Sequence, residues 1–202
     1  MPELPFGSDG GELKAAYHPT MRKGGKWIEY SELTDVISSV QLIATLAEPV
    51  KRHPILWKWI VLAAHSALQG AMVCNLSGNS SLGALTDKSR AKMLKFLGEG
   101  GEGDVPDDWL APFETLLEWI QTPERLADGV LWHPTETQIR TLKMLHYLRN
   151  EFSHFKPKGW SIHSKDLPKT VLTTFANAIG TLGAREGIGA EMALDGAPAA
   201  VV

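Results

Sequence analysis

The stretch Ile55 to Leu76 constrains this chain more than any other. It is apolar nearly all round, interrupted by Lys58, His65, Ser66, Gln69 and Asn75, and its longest unbroken apolar run is Trp59 to Ala64. A membrane-spanning helix needs roughly 20 predominantly apolar residues with few or no charges. These interruptions predict instead a nearly buried helix of a soluble protein, with no membrane partner. The spacing places its start near Pro54, a favourable first-turn residue, and its end near Asn75. Lys58, His65 and Gln69 recur at i, i+7 and i+11, a thin polar stripe on an otherwise apolar rod.

Such a rod needs other helices around it, and helical periodicity recurs on both sides. Ser31 with Thr34 and Asp35 opens a helix carrying Leu33, Val36, Ile37, Val40, Ile43, Ala44 and Ala47, which Pro49 ends. Ser77 to Gly83 has a loop composition. Thr86 caps a short helix to about Leu97, and the acidic, glycine-rich stretch Gly98 to Asp108 reads as a mobile insertion that could gate access to a site. Trp109, Phe113, Leu116, Leu117 and Ile120 mark another amphipathic helix, ending before Pro123. Thr135 with Gln138 forms a capping-box pattern for a helix reaching about Phe155. Lys156 to Ile162 reads as a turn or short extended piece. Ser164 then caps a last helix with Val171, Leu172, Phe175, Ile179 and Leu182 on its apolar side.

The expected fold class is all-α: a bundle of about five or six helices over residues 31–186. An irregular N-terminal arm, 1–30, with a short strand near Trp27 to Tyr30, precedes it, and a flexible tail, 187–202, follows. There is no internal repeat. In a chain of 202 residues a hydrophobic fraction of 44% and a charged fraction of 21% are ordinary for a globular protein. The net charge of -3 argues against a surface coated for nonspecific nucleic-acid binding, but leaves room for a local basic patch. The single cysteine, Cys74, excludes an intrachain disulfide and sits in an apolar run. Met1-Pro2-Glu3-Leu4-Pro5 lacks the order of a secretory signal, so a cytoplasmic location is the expectation.

Cofactor motifs are absent. There is no C-x-x-C pair and no H-E-x-x-H, and Gly100-Gly101-Glu102-Gly103 is acidic and lacks the lysine of a phosphate-binding loop. No metal and no cofactor are expected. Most of Trp57, Trp59, Trp109 and Trp119 fall on apolar stripes and read as core. His65 reads as a satisfied core histidine, although its stripe could line a cleft beneath the helix that begins after Thr135.

That helix carries the candidate chemistry. On a wheel of about 100° per residue, Leu145, Leu148, Phe152 and Phe155 form a core stripe with Arg149 at its edge. His146, Asn150, Ser153 and His154 continue around the polar side. His146, one turn before Asn150, either supports a site or faces water. Taken alone, Arg149 and His154 fit an ordinary solvated face, with Arg149 paired to a carboxylate.

Arg149-Asn150-x-x-x-His154, late in a helical chain and near the end of its helix, resembles the signature of the HEPN superfamily: an arginine, an adjacent polar residue and a histidine several residues on. The resemblance covers residues 31–185 in outline and Arg149 to His154 in detail. It implies a homodimer whose two motif helices form one composite cleft, and metal-independent RNA cleavage. Carried over, His154 is the general acid or base, Arg149 holds the scissile phosphate and Asn150 orients the site. A toxin or defence role, with a protein antitoxin or other partner, belongs to the same analogy. Some members bind partners or nucleotides without cleaving, so a non-catalytic module stays open.

The residue chemistry suits either role: an imidazole exchanges protons near neutrality and a guanidinium stays charged and matches phosphate geometry. From Lys143 to Lys169, Lys143, Arg149, Lys156, Lys158, Lys165 and Lys169 outnumber Glu151 and Asp166, a local excess of four positive charges that could guide a phosphate backbone. Lys156, Lys158 and Trp160 are the candidate substrate-binding residues. Trp160 either stacks on a base or plugs the end of the bundle, with packing the more ordinary role.

Overall fold

The computed structural model describes residues 30–77, 82–126, 130–154, 159, 161–163, 167 and 172–182. The chain divides into two compact units, Met1–Tyr30 and Ser31–Val202, and everything below concerns the second. The expected strand residues 27–29, the rest of the arm and the tail from residue 187 lie outside the described residues.

The architecture is all-α. Seven helices are described: α1 (Glu32–Leu46), α2 (Pro49–Arg52), α3 (Trp57–Ser77), α4 (Asp87–Gly98), α5 (Phe113–Trp119), α6 (Glu136–Ser153) and α7 (Thr173–Leu182). The four-residue α2 is an addition to the expected list, and the helix expected from near Pro54 opens with a 3-10 turn, Pro54–Leu56, before α3. Pro49 does not simply terminate α1. A proline tolerates the first turn of a helix, and here it starts one. Among the described residues there is no strand, only an isolated antiparallel bridge between Leu85 and Leu110.

The bundle is organised around α3. Thirteen of its 21 residues are buried, which places it inside the ring of other helices. It packs against α1, α5, α6 and α7, and α6 in turn packs on α7. By length and composition Pro54–Ser77 could cross a membrane, but 67% of its most apolar window is buried within the fold. Ala63, Ala64, Ala67 and Ala71 give it a slim profile, and all four are buried. Gly70 serves the same end, since a Cβ there would lie 2.7 Å from Val36 Cγ2 of α1.

Two polar pairings tie α3 to its surroundings, as burial favours. Ser66 donates from α3 to Asp35 Oδ2 of α1 at 2.7 Å. Asn75, 1% exposed, donates to the Val130 carbonyl at 3.0 Å and accepts from the Val130 N–H at 2.7 Å, so its amide substitutes for a strand partner. That clamp fixes the segment leading into α6.

The stretch before α5 differs from expectation. Trp109 is not on the helix and is 68% exposed. The Trp109 carbonyl accepts from the Thr86 N–H at 2.9 Å, Ala111 N–H donates to the Ala84 carbonyl at 2.9 Å, and Trp109 N–H donates to Ser89 Oγ at 3.1 Å. These bonds pin an extended segment to the base of α4, and α5 starts only after Pro112, which occupies its N-cap position. Trp59 is also half exposed, with Lys58 Nζ 5.3 Å from its ring centroid. Of the four tryptophans, most of which were expected in the core, Trp57 and Trp119 are buried there.

Candidate functional site at the end of α6

Helix α6 is fixed at its start by the expected capping box. Gln138 N–H donates to Thr135 Oγ1 at 3.2 Å, and Gln138 Oε1 accepts from the Thr135 N–H at 2.8 Å. The free end of the same amide donates to Asn177 Oδ1 of α7 at 2.9 Å, tying cap to neighbour. Thr141, Leu142, Leu145 and Leu148 then face the core and set the rotation of the helix. That rotation places Arg149 and Asn150 half buried at the core margin and leaves His154 exposed.

His154 is the C-cap residue. Its N–H closes the last turn on the Asn150 carbonyl at 3.0 Å, and its backbone (φ -98, ψ 108) already leaves the helix. Lys156, Lys158 and Trp160 lie outside the described residues, as do Phe155 and Ser164.

Arg149 and Asn150 are joined side chain to side chain: Arg149 Nη1 donates to Asn150 Oδ1 at 2.9 Å. Among the described residues no ion pair joins Arg149 to a carboxylate. The other end of the Asn150 amide lies 3.2 Å from His146 Nε2, and His146 Nδ1 lies 2.9 Å from His65 Nε2. One hydrogen-bonded chain therefore runs from the guanidinium through an amide and two imidazoles into the centre of α3.

His146 was expected on the polar side of α6, and that placement is corrected here. It is half buried, and its ring stacks on Phe113 of α5 with centroids 4.6 Å apart and planes 8° apart. His65 stacks on the same phenyl ring at 4.6 Å. The two histidines and Phe113 thus form an aromatic seam between α3, α5 and α6. His65, 3% exposed, is the satisfied core histidine the sequence predicts, and it also reaches the candidate site through His146. The available signal was spacing: His146 stands one helical turn before Asn150, close enough to bond.

The electrostatics keep both rings neutral. Burial pushes the His65 pKa down to about 3, helped by the positive charge of Arg149 and then by His146. Burial also lowers the His146 pKa, with Arg149 acting in the same direction and Glu114 opposing it. Desolvation penalises an imidazolium, and a nearby cation adds to the penalty.

At the same end of α6, a cavity of about 420 Å³ is lined by Ile55, Trp57, Lys58, Phe152, Ile162 and Leu167, among others. Phe152 lies within the motif, so the polar and apolar sides of this helix end both border open space. Lys58 of the α3 stripe lines this cavity, and His65 of the same stripe joins the buried chain. Among the described residues no group of three or more His, Cys, Asp or Glu could hold a metal ion.

No family model matches this sequence, and neither a curated protein nor a solved structure matches it.

Proposed function

We propose that this chain is a metal-independent endoribonuclease of HEPN type that acts as a homodimer. The family resemblance of Arg149-Asn150-x-x-x-His154 motivates the reading. The observation that carries it is the Arg149–Asn150 pair held at a half-buried helix margin, with an exposed histidine four residues on at the end of the same helix. A guanidinium oriented by a neutral amide keeps its full charge and most of its five donors for an anion.

In this mechanism Arg149 binds the non-bridging oxygens of the scissile phosphate and stabilises the charge added at phosphorus. His154, on one or the other subunit, removes the proton from the ribose 2′-hydroxyl or delivers a proton to the departing 5′-oxygen. The 2′-oxygen to phosphorus bond forms as the phosphorus to 5′-oxygen bond breaks. The products are a 2′,3′-cyclic phosphate and a 5′-hydroxyl. Lys156, Lys158 and Trp160 would hold the flanking strand, supported by the local positive excess of the sequence around them. A toxin or defence role, with an antitoxin partner, rests on the family analogy.

Purified protein should cleave single-stranded RNA to cyclic-phosphate ends in the presence of a chelator, and His154→Ala should abolish cleavage. Undiminished cleavage by that variant would remove His154 from the mechanism. The second reading is a non-catalytic module that holds a protein partner or nucleotide on the same face. The net charge of -3 favours it, because long-range attraction for RNA is weak in such a chain. Binding without turnover by the wild type would select it.

A further inference from the structure

Only one arrangement of protons fits the chain of side chains behind Arg149. A guanidinium only donates, so the end of the Asn150 amide bonded to it is the oxygen. The Asn150 nitrogen then faces His146 Nε2 at 3.2 Å, and that ring nitrogen has to accept. His146 is therefore neutral, with its proton on Nδ1. That proton points at His65 Nε2, 2.9 Å away, which has to accept in turn. His65 likewise carries its proton on Nδ1, the less populated form of a free imidazole. Each bond in the series fixes the next, and all run in one direction, from guanidinium to buried ring.

We propose that His146, seated on His65, is a positioning residue for the Arg149–Asn150 pair: it fixes which end of the amide faces the guanidinium, and so where the guanidinium presents its remaining donors to a phosphodiester. This deepens the endoribonuclease reading, and the activity arm of its test rests on that reading. Phe113 stacks on both rings and keeps them in register. The charged groups that act on His146 are Arg149 on its own helix and Glu114 on α5, and His65 faces it from α3. A proton added to His146 at Nε2 would meet the Asn150 N–H groups. The amide would then have to turn over and withdraw its oxygen from Arg149.

The decisive measurement is long-range ¹H–¹⁵N NMR of the histidine rings in the full chain at pH 7. Both His65 and His146 should appear as neutral Nδ1–H tautomers, and Asn150→Leu should release His146 into a tautomer mixture. A wild-type His146 found as an Nε2–H tautomer or as an imidazolium would overturn the proposal. The second measurement is steady-state RNA cleavage by two variants with matched melting temperatures. His146→Leu should lose about a hundredfold in kcat, the cost of a small misplacement of a catalytic group. His146→Gln, whose Oε1 reaches the Nε2 position and still accepts from Asn150, should recover most of it. Equal loss in both variants would also overturn the proposal. If the wild type cleaves no RNA, the nuclease reading fails alone, and the ring tautomers still decide whether the positioning chain exists.

Discussion

At the scale of residues, the two histidines behind Arg149 make stability depend on pH in a defined direction. In the unfolded chain an imidazole takes up a proton near pH 6.5. In the fold, burial and Arg149 hold His65 neutral down to about pH 3, so the unfolded state binds the extra proton first. The His65 contribution is therefore fully present above pH 6.5 and is lost as pH falls from 6.5 toward 3. One such group changes stability by at most about 1.4 kcal/mol per pH unit, or about 2 kcal/mol between pH 6.5 and 5. Urea unfolding across that range should show the decline, and His65→Gln, which accepts a hydrogen bond but does not titrate, should flatten it. A wild-type profile as flat as the variant's would mean that the buried ring is protonated without cost. The residues of this chain were only partly legible in sequence. Arg149, Asn150 and His154 stand out as candidates by type and spacing. His146 was assigned to the polar side because imidazole counts as polar on a helical wheel. Its ring packs on Phe113, a residue from a short helix 33 positions earlier, and within α6 only its spacing from Asn150 hints at that placement.

At the scale of elements, helix starts were readable because their signals are local. Ser31, Thr86 and Thr135 all accept from the backbone three residues on, as their positions predict. The start of α5 was not read correctly, because Trp109 fits the same period as Phe113 and Leu116. Pro112 outweighs that period: the residue before a proline is driven to extended backbone, and the bonds to Ala84 and Thr86 then hold it there. A second long-range lock joins α3 to the start of α6. Asn75 pairs with both backbone groups of Val130, so removing its amide leaves a half-buried donor and acceptor without these partners. Asn75→Ala should cost about 2–4 kcal/mol, read as a lowered urea midpoint. Because the segment it clamps leads into α6, the same variant should also broaden the backbone resonances around Thr135. A change within experimental error would show that water replaces the clamp freely.

At the scale of the whole molecule, the endoribonuclease reading carries with it the proposal of two copies, and the exposed side chains of α6 suggest which side of each would meet. Met144 is 39% exposed and Tyr147 is 60% exposed, and together with His154 they follow one another at i, i+3 and i+10 along the helix. Tyr147 and His154 are two turns apart, within about 20° on the wheel. A two-fold interface uses the same patch on both subunits. Burying Tyr147 in such an interface would bring both copies of His154 to the edges of one seam. An exposed tyrosine beside a methionine is also the kind of surface such interfaces favour, and a carboxylate at its centre is strongly disfavoured. Light scattering should therefore give twice the chain mass of 22.1 kDa for the wild type. Tyr147→Asp should give a single chain with an unchanged helical spectrum and no RNA cleavage. A wild type that is monomeric and active would separate the chemistry from the composite cleft, leaving Arg149 and His154 of one chain to act on the phosphate together.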